Sequence, residues 1–97
     1  MFRHIVLVRW SAESSEEQRG AARAALETLP SLISEIRAAR FGSNVGSGPN
    51  HHDFAVVMDF DDRDAFRRYI QHEAHRAYVD GPAKAAVGAL AVLQHEW

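Results

Sequence analysis

From Phe2 to Trp10 the chain is rich in β-branched and aromatic residues, with His4, Val6 and Val8 on one side of an extended backbone and Ile5 and Leu7 on the other. This predicts a strand that is apolar on both faces. The period then changes. Ser14 and Ser15 stand three residues before Glu17 and Gln18, the spacing of a capping box. Ala22, Ala25, Leu26 and Leu29 recur at helical intervals, while Glu16, Arg19, Arg23 and Glu27 take the outer side. A first helix follows, which Pro30 is expected to end.

Ile36 to Asn44 reads as a second strand, closed by Phe41-Gly-Ser-Asn44, and the glycines and Pro49 between Ser43 and His51 make a loop. Asp53 to Phe60 is the clearest strand: Phe54, Val56, Met58 and Phe60 alternate with Ala55 and Val57. Asp61 or Asp62 caps a second helix whose inward stripe is Ala65, Phe66, Tyr69 and Ile70. Gly81-Pro82 is expected to interrupt it, Ala83 to Val87 offers one more helical turn, and Ala89 to Trp97 forms the last strand.

The order strand, helix, strand, strand, helix, strand is the split β-α-β-β-α-β pattern, so the predicted class is α+β: one ferredoxin-like domain over residues 1–97 with a four-stranded antiparallel sheet. Two helices cover only one face of such a sheet. Strands apolar on both faces therefore need a second partner, and a second copy of the same sheet supplies it in a two-fold homodimer that closes an α/β barrel through the sheet faces. Val6, Val8, Ala55, Val57, Leu90 and Val92 motivate this expectation.

Composition narrows the function classes. A net charge of -2 with interspersed signs and no basic run gives no electrostatic footprint for nucleic acid or an anionic membrane. Cysteine is absent, which removes disulfide and thiolate chemistry and suits a reducing compartment. No apolar run approaches the ~18 residues of a membrane span, and a cytoplasmic protein is expected.

The chemistry-bearing stretch is Tyr69-Ile-Gln-His72-Glu-Ala-His75-Arg-Ala-Tyr78, which gathers two phenols and two imidazoles. Taking a proton from the carbon next to a carbonyl needs a base with a pKa near the working pH and a donor for the developing enolate. His75 can be the base and Tyr69 the donor. In an unbroken helix they would lie about 120° apart, so a bend around His72 is needed to bring them together. His4 can approach from the first strand, and a hydrogen bond from His4 or His72 can set the His75 tautomer. The bland alternative makes Tyr69 a core residue and His72 with His75 a structural pair pinning the helix end.

His72 and His75 also fit a metal pair with His51, His52 or Asp53, but the set lacks a known zinc spacing, so no metal or cofactor is expected. Gly42, Gly46 and Gly48 precede no helix and form no phosphate cradle. His95 and Trp97 share a face of the last strand, where an aromatic can pack across a dimer seam.

His4-Ile-Val-Leu-Val, Phe41-Gly-Ser-Asn44, Asp53-Phe-Ala-Val-Val-Met-Asp-Phe60 and Tyr69-x-x-His72-x-Ala-His75-x-x-Tyr78 together resemble the stress-responsive dimeric α/β-barrel (Dabb) family. The resemblance spans nearly the whole chain, and the Tyr-x-x-His-x-x-His block is its most specific part. It implies the ferredoxin-like fold and the sheet-to-sheet homodimer. Most members have no assigned activity. One plant member, olivetolic acid cyclase, closes a linear polyketide by aldol chemistry without metal or cofactor, and its tyrosine and histidine pair falls on Tyr69 and His75; family histidines also fall on His4 and His72. Where the family usually has proline after the first histidine of the block, this chain has Glu73, which bears on how His75 is presented.

The resulting expectation is an apolar pocket lined by His4, Phe66, Tyr69, His72 and His75, working as a cofactor-free cyclase or lyase on a small polyketide-like or aromatic molecule. Two alternatives stand beside it: a non-catalytic, stress-related binding or structural protein, and a cofactor-independent monooxygenase. A cavity of a few hundred Å³ reaching Tyr69 and His75 would favour a ligand.

Overall fold

The computed structural model describes all 97 residues, Met1–Trp97. Strand β1 (Phe2–Trp10) leads to helix α1 (Glu16–Leu32), β2 (Ala38–Ser43) and β3 (Phe54–Phe60). Helices α2 (Arg63–Gln71) and α3 (Glu73–Tyr78) follow, then a π-helical turn (Val79–Ala83), a last helical turn α4 (Lys84–Ala86) and strand β4 (Val87–Glu96). The strands form one antiparallel sheet in the order β2-β3-β1-β4, the split topology expected of a ferredoxin-like α+β fold.

Register decides which side chains meet. His4 pairs with Met58, Val6 with Val56 and Val8 with Phe54, so Phe2, His4 and Val8 share the helix-covered face with Phe54, Val56, Met58 and Phe60. All seven are buried, and Leu26, Leu29 and Ile33 from the α1 end and Ala65 and Tyr69 from α2 close over them. Six of these seven buried residues are apolar. His4 is the one buried polar side chain of the chain.

Helix α1 starts as its sequence specifies: the Ser15 hydroxyl accepts from Gln18 N–H, and the Gln18 side chain accepts from Ser15 N–H at 2.9 Å. Pro30 does not end it. The helix runs on to Leu32, because Leu29 and Ile33 are fully buried and the Ile33 N–H still reaches the Leu29 carbonyl at 2.9 Å. The lost Pro30 amide removes one bond, and the burial of the final turn outweighs it.

Gly81-Pro82 does interrupt the regular α-helix, and the expected further helical turn follows as α4, but the interruption is a π turn and not an exit from helical conformation. The backbone winds from Glu73 to Ala86 without leaving helical space, and widens to a π turn across the proline. The extra residue per turn accommodates the pyrrolidine ring, which in a regular α-helix clashes with the carbonyl four residues back. Strand β4 accordingly begins at Val87, two residues earlier than expected. There Gly88 is required: a Cβ would sit 3.0 Å from the Ser11 Cα and 3.1 Å from the Trp10 carbonyl, where the β1–β4 register slips.

The two faces of the sheet correct the residue set proposed for a dimer seam. Val6 and Val8, with their β4 partners Val92 and Leu90, lie on the helix side. The open face carries Ile5, Leu7, Ala55, Val57, Ala91 and Leu93, so of the six residues named from sequence only Ala55 and Val57 belong to it. At its end Arg3 makes two hydrogen bonds to Asp59, at 2.7 and 2.9 Å, and its guanidinium lies over the Trp97 ring. No helix is long and apolar enough to cross a membrane.

Candidate active site

Tyr69 faces inward from α2 and is only 3% exposed, packed on Phe60 and Phe66. His72 ends that helix. Its backbone is extended, its N–H closes α2 on the Tyr69 carbonyl, and its Nδ1 accepts from Ala74 N–H at 3.0 Å to cap α3. The chain turns there, and His75 comes to stand against Tyr69 with ring centroids 4.6 Å apart. One capped break replaces the misalignment that a straight helix would impose.

Three of the five expected pocket residues, His4, Tyr69 and His75, line one cavity of about 620 Å³. Its apolar walls include Val6, Val8 and Val56 from the sheet, Leu26 from α1, Val79 and Ala83 from the π turn, and Leu90 and Val92 from β4. The other two expected residues lie elsewhere. His72 is a helix cap, its ring spent on Ala74. Phe66 stacks on Phe2 at 4.8 Å and lies tilted against His4 at 4.9 Å, so it backs the site and is not part of the cavity wall.

Hydrogen bonds fix the protons. The His75 Nδ1 lies 3.2 Å from the Ile70 carbonyl, which can only accept, so Nδ1 carries the hydrogen and Nε2 keeps its lone pair. The partner that sets this tautomer is therefore a backbone carbonyl at the broken end of α2, and neither His4 nor His72. His4 has the opposite arrangement: the Gln94 amide donates to its Nδ1 at 2.9 Å, leaving Nε2–H as a donor.

Burial holds all these groups neutral. It lowers the His4 pKa to about 4, with His75 adding a smaller push. It lowers His75 as well, against the Ile70 carbonyl, which favours the imidazolium. Burial and, secondarily, Tyr78 drive the Tyr69 phenol far above its ordinary value, and burial raises Tyr78 too. At neutral pH the cavity thus offers one free imidazole lone pair, on His75, and hydrogen-bond donors on Tyr69 and His4. Tyr69 lines the cavity, and no side-chain polar atom is sealed in the interior without a partner.

Gln94, Asp80 and Lys84 escaped the sequence reading as site residues, and Tyr78, which closes the chemistry-bearing stretch, had no role assigned to it. Gln94 had a signal: it is the polar interruption in the stripe Leu90, Val92, Gln94. Asp80 and Lys84 reach the cavity through the π turn and the helical turn α4 that follows it, and no local pattern announced the π turn. His72 and His75 point to different partners, and no group of three His, Cys, Asp or Glu side chains is placed to hold a metal ion. A smaller hollow of about 430 Å³ lies on the loop side beside His51 and His52, away from Tyr69 and His75.

Glu73 occupies the first position of α3, where the backbone N–H has no intrahelical partner and where proline and acidic residues are both well suited. The Glu73→Pro variant should therefore keep its stability within about 0.5 kcal/mol of the parent, with the His75 resonances unmoved. A thermal melt and an imidazole NMR spectrum check this; a large loss would mean the Glu73 amide does more than end a helix.

A four-stranded antiparallel sheet covered on one face by helices, with a capped, broken second helix delivering a tyrosine and a histidine to an apolar cavity, defines a small ferredoxin-like α+β domain. The chain belongs to the Dabb family: the model of the stress responsive A/B barrel domain matches residues 2–92. It is 35% identical over 81 residues to an uncharacterized protein of Streptomyces coelicolor, covering 81% of this chain and 84% of that one. A dimeric ferredoxin-like protein of unknown function from Thermobifida fusca superposes with a TM-score of 0.86 at 33% identity, covering 99% of this chain and 90% of that chain. A hydroxynitrile lyase from Passiflora edulis shares the fold, with a TM-score of 0.85 at 18% identity over 97% of this chain and 90% of its own. Several of the similar solved structures, that from Thermobifida fusca among them, are described as dimeric.

Proposed function

We propose that this protein carries out cofactor-free acid–base chemistry on a small polyketide-like or aromatic carbonyl compound, as a cyclase or related lyase of the cytoplasm. The observation that carries the proposal is the cavity of about 620 Å³ that reaches the Tyr69–His75 pair. A purely structural, stress-related role would be served by a filled interior.

In this reading His75 Nε2 removes a proton from the carbon beside the carbonyl, and the C–H electron pair passes into the enolate. Tyr69 donates a hydrogen bond to the developing oxyanion, a role suited to a phenol whose raised pKa keeps its proton in place. The enolate carbon then attacks a second carbonyl of the same molecule and closes a ring, and the His75 imidazolium returns the proton to the new alkoxide. A hydroxynitrile lyase among the structural neighbours supports the lyase variant, since releasing a carbonyl from such a molecule also needs one base and one donor.

The test is exchange of the benzylic protons of 2-tetralone into D2O, followed by proton NMR. Exchange should run well above the rate in buffer holding the same concentration of free imidazole. A rate equal to that control would overturn the proposal.

The second part of the reading is a homodimer through the open sheet faces. Its support is the apolar patch around Leu7 and Leu93, the latter 55% exposed, and the dimeric neighbours. Leu7 pairs across to Ala55 and Ala91, so it stands in the middle of that patch. A buried, unpaired carboxylate there is strongly unfavourable, and Leu7→Glu should halve the mass that light scattering reports for the parent at micromolar concentration. A parent that is already monomeric, or a variant that stays dimeric, contradicts the sheet-face seam.

A further inference from the structure

The polar side chains of the cavity fall into two sets. Tyr69, His75 and His4 stand together, with Tyr78 at the end of α3 close enough to act on the Tyr69 phenol, and Asp80 and Lys84 form the other set, on the π turn and α4. Register sets the distance between them. Val87, three residues after Lys84, pairs with Trp10 at one end of β1, whereas His4 lies at the other end opposite Gln94. His4 to Val8 alone spans about 13 Å of strand, at about 3.3 Å per residue. The floor in between is apolar, Val6 and Val8 with Val92 and Leu90, and the two β4 residues are 53% and 56% exposed although they face the helix side.

Lys84 is the single lysine among the 11 basic residues of the chain. The six ion pairs of the chain are all made by arginines, so the Lys84 ammonium is not committed to a carboxylate of the protein. It is exposed, on a flexible stem that can lie along the apolar lip while its head stays in water. It is also the only cationic side chain on the cavity wall.

From this separation we infer that the ligand carries a single carboxylate, held by Lys84 at the mouth, at the end of an apolar body that runs along Val8, Leu90 and Val92 toward the His75 end. Asp80 makes the mouth neutral overall and so selects against a doubly charged head such as a phosphomonoester. The inference rests on the reading of the cavity as a ligand site, and names the charge and shape of what enters it.

The test compares octanoate, octan-1-ol and octyl phosphate by calorimetric titration of the intact protein at pH 7. Octanoate should bind about ten-fold more tightly than the alcohol, and octyl phosphate more weakly than octanoate. Lys84→Gln should erase the preference for octanoate over the alcohol, and Asp80→Asn should tighten octyl phosphate several-fold. Equal affinity for octanoate and octanol, a preference that survives in Lys84→Gln, or no binding of any of the three would overturn the inference. The 2-tetralone assay keeps the two proposals apart, because that probe has no carboxylate: exchange without carboxylate preference removes this inference alone, and carboxylate preference without exchange removes the acid–base reading alone.

Discussion

His75→Ala is expected to lower proton exchange or turnover by about 10²–10⁴-fold, the usual contribution of a positioned general base. The size follows from the absence of a substitute. His4 has its free nitrogen protonated by the Gln94 contact, His72 spends its lone pair on Ala74, and the phenols of Tyr69 and Tyr78 are held protonated by burial. The remaining acceptor on the cavity wall, the Asp80 carboxylate, belongs to the other set with Lys84, away from the Tyr69–His75 pair. Tyr69→Phe removes the oxyanion donor and is expected to cost about 10²–10³-fold, as loss of one such donor does. The ring packing on Phe60 and Phe66 survives that change, so the fold should persist. His72→Ala is the informative control: losing a cap costs roughly 1 kcal/mol of stability, with a smaller effect on the chemistry than His75→Ala. The measurement is the exchange rate of 2-tetralone for each variant, beside its melting temperature; a His75→Ala protein as active as the parent would remove His75 from the mechanism.

Lowering the pH from 7 to 4 should cost the fold about 3 kcal/mol through His4. Its folded-state pKa stands at about 4 against 6.5 for a free ring. Between those values the unfolded chain binds a proton that the folded chain refuses, so the contribution is complete above pH 6.5, declines as the pH falls, and levels off below about 4. At about 1.4 kcal/mol per pH unit the whole interval is worth about 3.5 kcal/mol, of which about 3 kcal/mol is lost by pH 4, where the folded ring is half protonated. Carboxylates such as Asp59, which Arg3 holds below the ordinary range, add their own losses further into acid, below the window in which His4 acts. Urea unfolding of the parent and of His4→Gln at pH 7, 5.5 and 4.5 separates the two: the parent should lose stability faster with acid than the variant, and parallel losses would mean that His4 protonates freely in the folded protein.

The architecture was legible because burial is written in alternation. Phe54, Val56, Met58 and Phe60 could only face a core, and Ser15 with Gln18 could only open a helix. What the sequence left out was tertiary. Pro30 and Gly81-Pro82 read as breaks, yet Leu29 and Ile33 bury the turn around the first and a π turn absorbs the second. Because β1 and β4 are apolar on both sides, alternation alone could not say which face met the helices, and four of the six seam residues went to the wrong one. Tyr69 and His75 were visible as residue types, but their meeting depends on His72 capping two helices at once. The Ile70 carbonyl that sets the His75 proton has no signature in sequence at all, since every residue carries one.

The central claim is that His75 stands neutral, with Nδ1 protonated toward Ile70 and Nε2 free for a substrate proton. Long-range nitrogen–proton correlation NMR of the histidine rings at pH 7 tests it directly. His75 should show the neutral Nδ1–H form, with His4 in the opposite Nε2–H form and only His75 Nε2 shifting when 2-tetralone is added. A His75 ring that is an imidazolium at pH 7, or one that carries its hydrogen on Nε2, would contradict it.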